Sequence, residues 1–150
     1  MTPVNNRPAG NAGESAIWLV HWAMTASVPF FLLLAWFVMF PQISTPDAAA
    51  APAQRTAALL LIVVAVAQIP AGFMLPALLW NLTASRGLAR VKLMAILSDA
   101  LFESIAMFGL VGPYVGMSQM MGYGLMLLAT VMLGMNTARI RVWIEMAARE

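Results

Sequence analysis

Two acids four residues apart, Asp99 and Glu103, interrupt the otherwise apolar stretch KLMAILSDALFESIAMFGLVGP from Lys92 to Pro113. At about 1.5 Å of rise per residue that stretch is long enough to cross a bilayer as a helix. Residues four apart sit roughly 40° apart around a helix, so both carboxyls share one face, with Ser98 beside it. Counted from Lys92, Asp99 lies roughly 10 Å deep and Glu103 roughly 16 Å deep. Glu103 therefore falls near the middle of an apolar core about 30 Å thick. A charge there costs at least ~2.5 kcal/mol, and such residues usually face protein or a water path. The chemistry open to such a pair is to bind and release a proton or to hold a small cation.

A second polar residue lies at a matching depth. Gln68 precedes Trp80 by twelve residues, a rise of roughly 18 Å. The connection between the two spans is short, so they are expected as antiparallel neighbours, with Gln68 facing Glu103. A carboxylate, an amide oxygen and the hydroxyl of Ser104 are hard oxygen ligands that suit hydronium or Na+. Without a cation, Glu103 is expected to hold a proton. The competing reading is a neutral Glu103 that only hydrogen-bonds Gln68 and ties two helices together, a contact worth typically about 0.6 kcal/mol.

The string ALFESIAMFGLV resembles the carboxylate-bearing helix of the c subunit (proteolipid) of rotary ATP synthases. In that helix a Glu is followed by a small residue, an apolar run, an aromatic and Gly-Leu-Val. The resemblance implies that Glu103 binds the transported proton or Na+, joined in sodium-type members by a Gln on the preceding helix and a Ser after the Glu. Gln68 and Ser104 occupy those places. The resemblance covers about Val66 to Val111. Its first helix reads QIPAGFMLPALLW here, with one Gly and two Pro where the family is packed with glycines.

Other chemistry is thin. The chain has no cysteine and one histidine, so thiolate metal sites and a bis-histidine haem are excluded. His21 is a weak candidate ligand for a metal or pigment, and more often such a residue hydrogen-bonds a neighbouring helix. Met117, Met120 and Met121 have a chemistry that suits Cu(I), but thirteen methionines spread over apolar spans read as adaptable packing. No cofactor is expected. No nucleophile–base set and no phosphate loop is visible, so the chain is not expected to be an enzyme on its own, though it could serve as a non-catalytic subunit of one.

The elements that must position these groups follow from composition. Of 150 residues, 62% are hydrophobic and 9% charged, whereas soluble domains carry about 25% charged residues. The expected fold is an all-α integral membrane protein, four transmembrane helices in an up-down bundle. Residues 1–15 read as a mobile polar tail, without a separate signal peptide. Spans are expected at about 16–40, 57–80, 92–112 and 117–136. Residues 137–150 read as a short amphipathic extension at the interface. Trp18, Trp22, Trp36, Trp80 and Trp143 read as interface anchors. Gln68, Pro70, Gly72 and Pro76 mark the second span as kinked, or as unwound around a site. Gly122, Gly124, Ala129 and Gly134 suggest a close-packing face on the fourth.

With four spans, Arg7, Arg86, Arg90, Lys92, Arg139, Arg141 and Arg149 share one side, and Arg55 stands on the other. That bias places both termini in the cytoplasm of a bacterial-type inner membrane. A net charge of +2 without a basic run gives no reason to expect nucleic acid. The expected surroundings are lipid and either further copies or other membrane subunits. The leading functional expectation is proton or small-cation handling through Glu103 and Asp99, as a subunit of a larger ion-translocating assembly. The alternative is a non-catalytic structural or anchoring subunit of a membrane complex.

Overall fold

A computed structural model describes residues 10–43 and 51–149. Most of the expected N-terminal tail and the middle of the first loop lie outside the described residues. Within them the chain is helical, without strands. It forms α1 (Gly10–Leu34), α2 (Ala51–Trp80), α3 (Gly87–Val111) and α4 (Gln119–Ala147). Four helical segments are long and apolar enough to cross a membrane.

Four helix ends differ from the sequence reading, and one of them is the start of α3, at Gly87 rather than Lys92. α1 starts at Gly10 rather than near Ala16, with Glu14 accepting from Trp18 Nε1 at 3.4 Å. α2 starts at Ala51, six residues before the expected Ala57. Pro52 suggested a loop there, but proline is well tolerated in a helix's first turn, and alanine is the best helix former. α4 runs unbroken across residue 136 to Ala147, so the residues expected as an extension are the last turns of the same helix.

α3 is the central helix. Half of its most apolar window is buried, against 17% for α1 and α2. It packs against each of the other three, and α1 also packs against α4. His21 lies beside Asp99, and Ser27 beside Glu103, while Gln68 meets Ser104 and Gly72 meets Ser98. Lipid is as apolar as leucine, so helices associate in membranes through close packing and polar contacts rather than hydrophobic burial. The closest approach joins α3 to α4. A Cβ on Gly109 would stand 2.5 Å from the Gly122 carbonyl oxygen, and one on Gly122 would stand 2.6 Å from that of Gly109. Gly122 and Ala129 therefore face inward as expected. Gly124 and Gly134 do not: both are exposed, with open space around them, because they fall on the opposite face of the helix.

At the end remote from the termini, α1 passes through a π-helical stretch, Ala35–Met39, and a 3-10 turn, Phe40–Gln42. Helix ends leave carbonyls unpaired. Here Tyr114 Oη donates to Met39 O at 3.0 Å and Gln119 Nε2 to Phe40 O at 3.1 Å. Gly116 turns the chain into α4 at φ +94°, and a Cβ there would meet Gln54 at 2.7 Å.

Candidate functional site

α2 stays helical through both of its prolines. A proline lacks the N–H that would bond the carbonyl four residues earlier. For Pro76 that carbonyl is Gly72 O, and side chains from two other helices take it up. Ser98 Oγ on α3 donates to it at 2.8 Å, and Arg139 Nη1 on α4 at 3.2 Å. Arg139 Nη2 donates to the next carbonyl, Phe73 O, at 2.8 Å. The guanidinium also lies over the rings of Phe73 and Trp143, 4.8 Å from each centroid. The polar tract in α2 is thus a carbonyl acceptor for Arg139 rather than an unwound segment. Gly72 must be small as well, since a Cβ there would stand 2.5 Å from the Phe102 ring.

Asn136 links that cation to an acid. Its Oδ1 accepts from Arg139 Nη1 at 3.3 Å and lies 3.2 Å from Ser98 Oγ, whose one hydrogen goes to the nearer Gly72 O, while its Nδ2 donates to Asp99 Oδ1 at 2.8 Å. The other carboxyl oxygen, Asp99 Oδ2, lies 2.9 Å from His21 Nδ1, and His21 Nε2 lies 2.8 Å from Thr137 Oγ1. His21, Ser98, Asp99 and Asn136 are fully buried. Among the described residues, every buried side-chain nitrogen and oxygen has a partner. One polar layer therefore ties together all four helices.

A second layer lies about one turn further along α3. Glu103 Oε1 and Ser27 Oγ on α1 are 2.5 Å apart. Ser104 Oγ donates to Gln68 Oε1 on α2 at 2.7 Å. Neighbouring residues on a helix point about 100° apart, so Glu103 turns to α1 and Ser104 to α2. The expected ligand set of Glu103, Gln68 and Ser104 is divided: Gln68 and Ser104 meet, and Glu103 takes Ser27 instead. Asp99 and Glu103 both address α1, as their spacing requires. Among the described residues no three His, Asp or Glu side chains gather as metal ligands would, and both ring nitrogens of His21 are already engaged.

Counting protons shows what these contacts can do. Thr137 has one hydroxyl hydrogen and two acceptors within reach, His21 Nε2 and its own helix's Leu133 O at 3.4 Å. With His21 neutral, Nδ1–H donates to Asp99 and the Thr137 hydroxyl donates to Nε2. With His21 protonated, Nε2–H donates to Thr137, whose hydrogen turns to Leu133 O. Ser27 repeats the device, with Glu103 Oε1 at 2.5 Å and Met24 O at 2.7 Å. An ionised Glu103 accepts from Ser27. A protonated one donates to Ser27, which then donates to Met24 O. Both ring nitrogens of His21, and Oε1 of Glu103, thus keep a partner with and without the added proton, and only a hydroxyl hydrogen rotates between the two.

Asn136, Thr137, Arg139 and Ser27 were not among the candidates read from sequence. The run NTAR looked like the exit from the membrane. Trp143 carried the contrary signal: an aromatic anchor there puts Asn136 about two turns inside. Trp143 itself is buried, stacked on Trp80 at 6.2 Å between centroids, whereas Trp22 and Trp36 are exposed. Trp18 and Trp22 pack around the His21 ring, at 5.9 and 5.3 Å.

No family model matches the chain, and neither the curated proteins nor the solved structures include a match to it. The class is therefore set by the structure alone: an all-helical chain with four potential membrane spans and a buried polar layer at its centre.

Proposed function

We propose that the chain is a multi-pass inner-membrane protein that takes up and passes protons through His21–Asp99 and Glu103. It forms an up-down bundle with both termini in the cytoplasm. The observation that carries this reading is the fully buried His21–Asp99 pair, 2.9 Å apart, whose hydrogen-bond set is complete in either protonation state of the imidazole. Structural polar contacts need one satisfied state, and a proton carrier needs two. The pairing of Ser27 with Glu103 supports a second station of the same kind deeper in the bundle. From the proteolipid resemblance we carry over only Glu103 as a proton-binding carboxyl. A proton is favoured over Na+ because Gln68 and Ser104 address each other while Glu103 addresses α1.

The test is proton flux into sealed vesicles, read with a trapped pH dye under an imposed potential. Glu103→Gln and Asp99→Asn should each reduce flux to background while the protein still inserts, because neither amide can ionise; the Glu103 amide keeps its bond to Ser27, whereas the Asp99 amide turns its NH2 on one of two donors. Normal flux through Glu103→Gln would sink the reading.

A second reading is favoured by the long apolar outer faces of α1 and α2, which pack mainly against α3 and leave their other sides open. Those faces suit further copies or other membrane subunits, and the chain would then be a structural or anchoring subunit. In that case Glu103→Gln is silent, and substitutions on the outer face of α2, such as Val63→Trp, abolish copurification with the partner.

A further inference from the structure

Arg139 is a cation with an unfinished contact set. Its Nη1 serves Gly72 O, Ser98 and Asn136, and one hydrogen of Nη2 serves Phe73 O. The Nε–H and the second Nη2 hydrogen have no partner among the described residues. These two lie on the same edge of the guanidinium and form the fork that binds a carboxylate or phosphate through two parallel bonds. Among the described residues no carboxylate reaches Arg139; Asp99 is linked to it through Asn136. The guanidinium lies 4.8 Å from the ring centroids of Phe73 and Trp143 and lines an open cavity of about 320 Å³ with Ala138, Val142 and Trp143. The cavity is on the outer side of α4, at the end of the bundle rich in Arg and Lys, beside the Trp80–Trp143 stack. We propose that this cavity binds the phosphate of an anionic phospholipid, with its glycerol and first methylenes against Val142 and Trp143. The apolar wall and the lipid-facing position favour an amphiphile over a soluble anion. This inference is independent of proton transfer at His21.

The test is thermal unfolding of the purified protein in neutral detergent micelles doped with phosphatidylglycerol or with phosphatidylcholine of the same chains. Phosphatidylglycerol should raise the midpoint by several degrees more than phosphatidylcholine, whose phosphate is already neutralised by its own trimethylammonium, since a ligand bound only to the folded state stabilises it. Val142→Trp fills the cavity without touching the polar layer, and should remove that difference while leaving the midpoint in phosphatidylcholine unchanged. Arg139→Lys keeps the charge but loses the fork, and should weaken it. Equal shifts from the two lipids would overturn the proposal, as would a phosphatidylglycerol shift that survives in Val142→Trp. An equal shift from inorganic phosphate or glycerol 3-phosphate would make the site one for soluble anions and overturn the lipid.

Discussion

The two polar layers of this bundle hold acids of the same chemistry in opposite ways. Asp99 is fully buried and bonded to His21 and Asn136, and through Asn136 it is tied to Arg139 and the freed carbonyl of Gly72. Glu103, one turn away, is only partly buried and is held by the single hydroxyl of Ser27. The first layer contains an acid, a cation and a histidine joined across four helices. The second is two separate pairs, Glu103 with Ser27 and Gln68 with Ser104. Groups with many partners are costly to disturb, and groups with one partner can change state cheaply. On the proton-transfer proposal, Asp99 is accordingly the group that organises the bundle, and His21 and Glu103 are the groups assigned to exchange protons.

The largest effect should come from Asp99→Leu. It leaves His21 and Asn136 without their acceptor and Arg139 without the charge behind Asn136. Breaking a buried pair in this way costs about 3–5 kcal/mol, measurable as a lower midpoint in denaturant titration of the micellar protein. Glu103→Leu should cost about 1 kcal/mol or less, since it removes one interhelical hydrogen bond. Equal losses from the two variants would erase the distinction between the layers. Thr137→Val comes next. It removes the partner of His21 Nε2 in both protonation states, so it should lower stability by about 1–2 kcal/mol and slow proton flux. Ser27→Ala should cost only about 0.6 kcal/mol, yet slow flux as much as Thr137→Val does. If Ser27→Ala conducts normally, the hydroxyl beside Glu103 carries no proton. Ser104→Ala should have the smallest effect, a similar stability loss with flux unchanged, because Ser104 bonds Gln68 rather than an acid.

Much of the scaffold was legible from residue types. Four apolar segments separated by polar or Pro-rich connections became four helices. The spacing of Asp99 and Glu103 placed both on one side of α3, which the structure turns to α1 rather than to α2. Depth was also legible: Gln68 does meet the level of Ser104. Rotation about the helix axis was not, because a count of residues along an axis does not say which of two neighbours faces which helix. A step of one residue, from Glu103 to Ser104, moved the partner from α1 to α2. The role of Pro76 was hidden for a related reason. A proline announces a free carbonyl, but only the packed structure shows that Ser98 and Arg139 come from two other helices to meet it. The end of α4 was obscured by composition: Asn136, Thr137 and Arg139 are polar, so they read as the exit from the last span although they reach into the bundle.

The most direct measurement uses the fact that His21 is the chain's one histidine. With ¹⁵N-labelled histidine, the nitrogen spectrum of the protein in liposomes reports this ring alone. The account predicts a ring with Nδ1 always protonated, donating to Asp99. Nε2 should change from acceptor to donor as the vesicles are acidified, and Asp99→Asn should abolish that pattern. An Nε2 that keeps one protonation state at every pH the liposomes withstand would contradict it, and would leave the His21–Asp99 pair as a structural tie between helices.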